Sequence, residues 1–251
     1  MSVKAMVVLS GGQDSTTCLY WAKAKGFTEV HAVTFDYAQR HRREIDAARK
    51  IALMANVASH DVVELGPVLK GRSPLTNSKE TLELYESYDQ MSKIIGDRVE
   101  LTFVPMRNAV FLTLAANRAI VKDCAVLVTG VCQEDNANYP DCREEFVLAQ
   151  EKLINVALGC HGFSIKAPLL RASKADTVRM AKQLPGCWEA LAYSHTAYDG
   201  AYPPVGKDHA STLRAQGFLD AGEADPLVVR AWREGLMPLP DSPNYNPLRA
   251  A

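Results

Sequence analysis

Residues 7–16 read Val7-Val8-Leu9-Ser10-Gly11-Gly12-Gln13-Asp14-Ser15-Thr16. The apolar run that starts at Ala5 has the length of one buried strand, Ser10-Gly11-Gly12 stops it, and a helical stretch follows from about Thr16 to Lys25. Without Cβ atoms, Gly11 and Gly12 let backbone N–H groups face a concavity that holds an anion. The start of the next helix adds unsatisfied donors and the positive end of a dipole. Ser10 and Ser15 supply hydroxyl donors for phosphate oxygens. Asp14 repels phosphate, which points it to capping the helix or holding Mg²⁺. The stretch is not GxxxxGK[ST], because no lysine ends it, and it is not GxGxxG. A turn that only reverses the chain is the plainer reading of a lone Ser-Gly-Gly. The full hexapeptide between an apolar strand and a helix favours phosphate binding.

Outward from this loop, apolar runs alternate with amphipathic stretches, the pattern of a doubly wound parallel α/β sheet. A strand is predicted over Val30–Phe35, ended by Asp36. A helix follows over about 39–55, with Ile45, Ala48, Ala52 and Ala55 at helical spacing. The next strand is His60–Leu65. Residues 66–100 break the rhythm at Gly66-Pro67 and Ser73-Pro74 and are expected to form an insert or lid. The alternation resumes with a helix over Asn108–Val121, a strand over Ala125–Thr129, a helix over Glu144–Leu158, a short strand near Ile165 and a helix over Ser173–Leu184 capped by Ser173. The expected organisation is a catalytic domain over 1–185 and a small loop-rich C-terminal appendage over 186–251, where prolines recur at 203, 204, 226, 238, 240, 243 and 247.

The 251 residues are 47% hydrophobic and 23% charged, with a formal net charge of -1. A polyanion-binding surface shows a basic excess or stripe, and none is visible, so no nucleic-acid partner is expected. No apolar run reaches the roughly 18 residues of a membrane span. The N-terminal stretch reads as no signal peptide, which predicts a cytoplasmic protein with reduced cysteines. Those cysteines, at 18, 124, 132, 142, 160 and 187, contain no CxxC pair. Cys132 and Cys142 therefore read as small buried hydrophobes before they read as thiol catalysts.

The SGGQDS loop resembles that of the PP-loop ATP pyrophosphatases, which split ATP between the α and β phosphates and transfer AMP to a substrate oxygen. Four further segments, VTFDYAQRHR (33–42), FVPMRNAVFLTLAA (103–116), VTGVCQEDNANYPDCREEF (128–146) and KAPLLRASKADT (166–177), resemble one branch of it, the 7-cyano-7-deazaguanine synthases. The resemblance runs in order over about the first 180 residues. It implies ATP and Mg²⁺, a small-molecule substrate (7-carboxy-7-deazaguanine), ammonia and a homodimer. It places ATP against Leu9, Ser10, Gly11, Gly12, Gln13, Asp14, Ser15, Thr16, Phe35 and Gly130.

The residues themselves support particular roles. Asp36 ends a parallel strand, the edge where open α/β sheets bind ligands, and Arg40 and His41 place cations just past it. Arg42 and Arg43 also read as a solvated helix start. Arg107 can grip a carboxylate or phosphate with two donors, and Asn108 can cap its helix or touch the ligand. Val110, Phe111 and Leu114 read as core. In the loop 134–143, Asp135 or Asp141 suits the N–H edge of a guanine-like base, Tyr139 can stack on it, and Arg143 adds a cation. Lys174 opens a late helix and can steady phosphate or serve only as surface. The expected catalytic set is Ser10, Asp14, Ser15, Arg107 and Lys174.

The resemblance fails at one place. The branch carries four zinc-binding cysteines near its C-terminus, whose positions fall here on Thr196 or Ala197, Val205, Asp208 and Ser211. None is a thiolate, so no structural zinc is expected, and the appendage is expected to be held by packing of Tyr193, Tyr198, Tyr202 and Phe218. This departure keeps open a relative that stops at the amide or passes the activated deazapurine to a protein or DNA acceptor. A tRNA thiolase and a non-catalytic nucleotide-binding module are further alternatives.

Overall fold

A computed structural model of the chain describes residues 3–40, 42–77, 79–133, 138–204 and 206–250. Five parallel strands, β1 (Lys4–Val8), β2 (Val30–Asp36), β3 (Ser59–Glu64), β4 (Cys124–Val128) and β5 (Ser164–Lys166), stand in the order β3-β2-β1-β4-β5. Every residue of β2 is buried, as a parallel strand covered on both faces requires. Alternation along β1 sends Ala5 and Val7 to one face and Met6 to the other. On the first face lie α1 (Gln13–Ala24), α2 (Arg43–Met54), α6 (Lys174–Gln183), α7 (Cys187–Leu191) and α8 (His209–Ala221), through Leu19, Ile51, Val178, Leu191 and Phe218. On the second lie α4 (Arg107–Val121) and α5 (Glu144–Leu158), through Leu112, Ala116, Val147 and Ile154. The strand order reverses between β1 and β4, so the crevice of a doubly wound sheet opens beyond their carboxyl ends. The expected fold class is the observed one.

Several boundaries differ from the sequence expectation for local reasons. α1 begins at Gln13, three residues before Thr16, because Gly12 is extended (φ -82, ψ 175) and its carbonyl receives the Thr16 hydroxyl at 2.7 Å. Gln13, Asp14 and Ser15 thus occupy a helical first turn. α2 begins at Arg43, not near Gln39. Ala38 turns left-handed (φ 58), Gln39 folds back to accept from the Tyr37 N–H at 3.0 Å, and Arg42 pairs with Asp36 at 2.5 Å.

Residues 66–100 contain α3 (Tyr88–Ile95), capped by Ser87, which accepts from the Gln90 N–H. Its Tyr85, Met91 and Ile95 pack on Leu213 of α8, and Leu69 and Leu75 pack on Tyr37 and Val104. The proline-rich C-terminal stretch holds α7 and α8, then α9 (Pro226–Arg233) and α10 (Asn246–Arg249), between its loops. Two of its prolines start helices: Pro226 follows the Asp225 cap, and Pro247 is the second residue of α10. There the missing N–H costs nothing. Cys187, Ala190, Leu191 and Phe218 share one core with β1 and α1. Among the described residues no helix is long and apolar enough to cross a membrane.

Candidate active site

A cavity of about 360 Å³ opens at the switch point. Its floor is the loop between β1 and α1. The Ser10 and Ser15 hydroxyls hydrogen-bond each other at 3.0 Å, the Ser15 hydroxyl donates to the Gly12 carbonyl at 3.2 Å, and the Ser10 N–H donates to Ser15 Oγ at 3.2 Å. The loop is therefore shaped before any ligand arrives. Gly11 (φ 89) has no room for a side chain: a Cβ there would lie 2.3 Å from the Glu44 carbonyl oxygen and 2.8 Å from the Ala48 nitrogen of α2. The missing atom lets the first turn of α2 close on the loop. Gly130, after β4, makes the same allowance on the other side, where a Cβ would meet Asp14 and Ser15 backbone at 3.2 Å. Gln13 is 4% exposed and lines the cavity, yet its Nε2 is buried with no hydrogen-bond partner among the described residues. Leaving such a donor unpaired costs about 1–3 kcal/mol, which an anionic ligand would recover.

Two cations flank the floor. Lys174, the first residue of α6, sets Nζ 2.9 and 3.1 Å from the two Asp14 carboxylate oxygens. The pair exists because Gly217 of α8 leaves space: a Cβ there would lie 2.4 Å from Lys174 Cγ. Arg107 opens α4 from the opposite wall. Burial works against its charge, but the facing Tyr37, Tyr139 and Tyr198 hydroxyls and Asp141 hold the guanidinium above its ordinary range. Met106, left-handed at φ 64, offers α4 no side-chain cap. Asp141 supplies one from a distant loop, accepting from the Asn108 N–H at 3.3 Å, while Asn108 Nδ2 donates to the Asp141 carbonyl at 3.2 Å.

The far wall is aromatic and acidic. Phe35 and Phe111 stack with centroids 4.6 Å apart, and Tyr37 tilts against Phe111 at 5.2 Å. The Tyr139 hydroxyl donates to Glu100 at 3.1 Å and meets Thr102 Oγ1 at 2.5 Å, while its ring tilts against Phe103. Glu44 reaches the cavity from the first turn of α2. Burial, opposed by Arg107 and aided by Asp208, pushes its carboxyl up to about 7.

The structure brings most of the sequence-predicted set together. Leu9, Ser10, Gly12, Gln13, Asp14, Ser15, Phe35, Arg40, Arg107, Asn108, Gly130, Tyr139, Arg143 and Lys174 all line the one cavity. His41 and Asp135 lie outside the described residues. Three residues stand behind the wall. Gly11 faces α2. Thr16, fully buried, spends its hydroxyl on Gly12. Asp141 braces α4, its Oδ2 accepting from the Asn108 N–H. Arg40 lines the cavity while its guanidinium donates to the Glu80 carbonyl at 3.3 Å.

Sequence reading missed other wall residues. Phe111, taken as core, faces the cavity from its stack on Phe35. Glu44 was hidden in the charged start of α2. His195, Thr196, Tyr198, His209 and Leu213 come from a stretch read as peripheral. The His195 N–H donates to the Gly11 carbonyl at 2.8 Å, which draws this stretch onto the loop.

The C-terminal positions aligned with zinc ligands have other duties. Asp208 caps α8, accepting from the Ser211 N–H at 2.9 Å and the Tyr198 N–H at 3.1 Å. Thr196 accepts from Arg214, whose guanidinium also donates to Ser194 and forks onto Asp225 at 2.6 and 2.8 Å. Val205 lies outside the described residues. The donor set fits hydrogen bonding between neighbours and does not fit a tetrahedral metal.

A phosphate-shaped loop, flanking cations and an aromatic wall at a switch point suit a nucleotide and a planar anion, and comparison with known proteins agrees. The family model for queuosine biosynthesis protein QueC matches residues 4–222. The 7-cyano-7-deazaguanine synthase of Laribacter hongkongensis is 47% identical over 231 residues, covering 90% of this chain and 94% of its own length. That of Chromobacterium violaceum is 47% identical over 232 residues, covering 92% and 95%. That of Gloeobacter violaceus is 44% identical over 228 residues, covering 89% and 95%. The chain belongs to the QueC family of queuosine-biosynthesis proteins.

Proposed function

We propose that the chain converts 7-carboxy-7-deazaguanine and ammonia to 7-cyano-7-deazaguanine at the expense of ATP, as a C–N bond-forming ligase. One observation carries the reading: the preformed SGGQDS loop, with its buried unpaired Gln13 donor, sits in the same cavity as Arg107 and Lys174. A carboxylate resists attack by ammonia because its oxygen leaves poorly. Transfer of AMP to that oxygen cures this, and it needs ATP bent over an anion-binding loop with cations at the reacting phosphate.

In this reading Ser10, Gly12, Gln13 and Ser15 hold the triphosphate, with Leu9, Phe35 and Gly130 around the adenosine. Mg²⁺ would arrive with the triphosphate and offset the charge that builds on pyrophosphate. Asp14, a hard oxygen ligand at the mouth of the loop, suits it chemically. Lys174 and Arg107 steady the acyl-adenylate. Asn108, Tyr139, Arg40 and Arg143 surround the deazapurine. Ammonia attack gives the amide, and a second adenylation, at the amide oxygen, allows elimination to the nitrile.

The test is incubation of folded protein with the carboxylate, ATP, Mg²⁺ and ammonium, followed by mass spectrometry. AMP and the nitrile are expected. An amide end product, or AMP without a free deazapurine product, would favour a relative that stops early or loads an acceptor.

A further inference from the structure

Ammonium at neutral pH carries no lone pair, so an enzyme that uses it must take a proton before nitrogen can attack. Glu44 and Asp14 are the carboxylates that line the cavity among the described residues. Asp14 pairs with Lys174 at 2.9 Å and is the residue assigned to Mg²⁺ above. The Glu44 carboxylate has no hydrogen-bond or ion-pair partner among the described residues. Its backbone is fixed against the phosphate loop, since its carbonyl occupies the space where Gly11 lacks a Cβ. The charged and titratable groups that face it are Arg107 from α4, Tyr37 from the end of β2, and Asp208 from the cap of α8. A group so placed is near the loop that delivers AMP, open to the cavity, and unspent.

We infer that Glu44 binds ammonium and removes the proton that frees its lone pair for attack on the adenylated carboxyl. This rests on the function proposed above. Ammonium gives one proton to the Glu44 carboxylate, and the freed pair forms the C–N bond. The C–O bond to AMP breaks with its electrons on the AMP phosphate. The remaining surplus proton, acidic on the positive nitrogen, leaves to solvent, and Glu44 then returns its own proton to solvent. A carboxyl displaced to about 7 is well matched to this exchange, because a base works best near the operating pH. A carboxylate at this place also suits the N–H edge of a deazaguanine, and the experiment separates the two uses.

Two rates are measured on the full chain: exchange of labelled pyrophosphate into ATP with the carboxylate present and ammonium absent, and amide plus nitrile formation with ammonium titrated. Glu44→Gln is expected to lower the ratio of ammonium-dependent product to exchange by about 100-fold or more, with the KM for the carboxylate unchanged. Hydroxylamine, already neutral near pH 7, is expected to restore acyl transfer in the variant as hydroxamate. Asp208→Asn keeps a helix-capping side chain and removes a charge that raises Glu44, so the acid limb of the ammonium-dependent profile is expected to move to lower pH. This second variant carries the test should Glu44→Gln not fold. An unchanged ratio, a raised KM for the carboxylate alone, or an acid limb that stays put in Asp208→Asn would each overturn the role of Glu44. No exchange in the unaltered protein would instead overturn the proposed function itself.

Discussion

Gly217→Ala separates positioning of Lys174 from stability of the fold. Gly217 lies inside α8, where alanine is favoured over glycine by about 0.8–1.0 kcal/mol. The added methyl, however, would lie 2.4 Å from Lys174 Cγ and 2.9 Å from its Cβ, and only 3.2 Å from its backbone carbon. Overpacking of this kind costs about 1–3 kcal/mol. The two effects nearly cancel, leaving a net loss of about 0–2 kcal/mol. The side chain of Lys174 yields first, because it is flexible and the α6 backbone is not, so Nζ leaves its place 2.9 Å from Asp14. A misplacement of about 1 Å at a reacting centre is worth about 100-fold in rate. The assay pairs urea unfolding with pyrophosphate exchange into ATP. The expected result is a nearly unchanged midpoint with exchange reduced about 100-fold. A variant about 1 kcal/mol more stable than the parent with full exchange would refute both the packing of α8 on Lys174 and its place in the chemistry.

Glu44→Gln also predicts a pH signature in stability. Burial raises the folded Glu44 carboxyl from 4.5 to about 7, so its contribution is complete below pH 4.5 and is lost as pH rises through 7. The variant lacks that loss and gains on the parent over this window. The displacement is worth ~3 kcal/mol in full, and ~1–2 kcal/mol after cavity water screens it; urea midpoints at pH 5 and pH 8 measure it. Arg214→Ala leaves Asp225 buried without its cation and is expected to cost about 3–5 kcal/mol, read as a lower urea midpoint. Gly11→Ala forces a left-handed alanine, at least about 1–2 kcal/mol, and thrusts its methyl into the α2 backbone. Calorimetric titration with ATP is expected to show binding weakened beyond detection.

The phosphate loop and the sheet were legible because their signals are local. Glycines after an apolar strand, capped helices and five apolar runs need no knowledge of distant contacts. α5 appears at the bounds its periodicity predicts, and Ser173 caps α6 through a capping box with Asp176. What stayed hidden depends on contacts made far along the chain. The cap that Asp141 gives α4 joins residues 33 apart in sequence, so no local pattern announces it. Phe111 sits on a helix whose apolar face turns from core to cavity within one turn. Glu44 follows Arg42 and Arg43, which read as a solvated helix start, and its place at the cavity depends on the close approach of α2 to Gly11. The C-terminal prolines suggested loop, while Pro226 and Pro247 occupy the first turn of a helix, where a missing N–H is tolerated.

The hydrogen bond from His195 to Gly11 has a consequence for biogenesis. A nascent chain with all five strands outside the ribosome would still expose its nucleotide loop on one side. That wall arrives only with residues 195–213, and Lys174 is wedged only by α8 behind it. Contacts so remote in sequence form late. Competence to spend ATP is thus deferred until α8 has been made and packed, which spares the cell a half-built enzyme that hydrolyses nucleotide to no purpose.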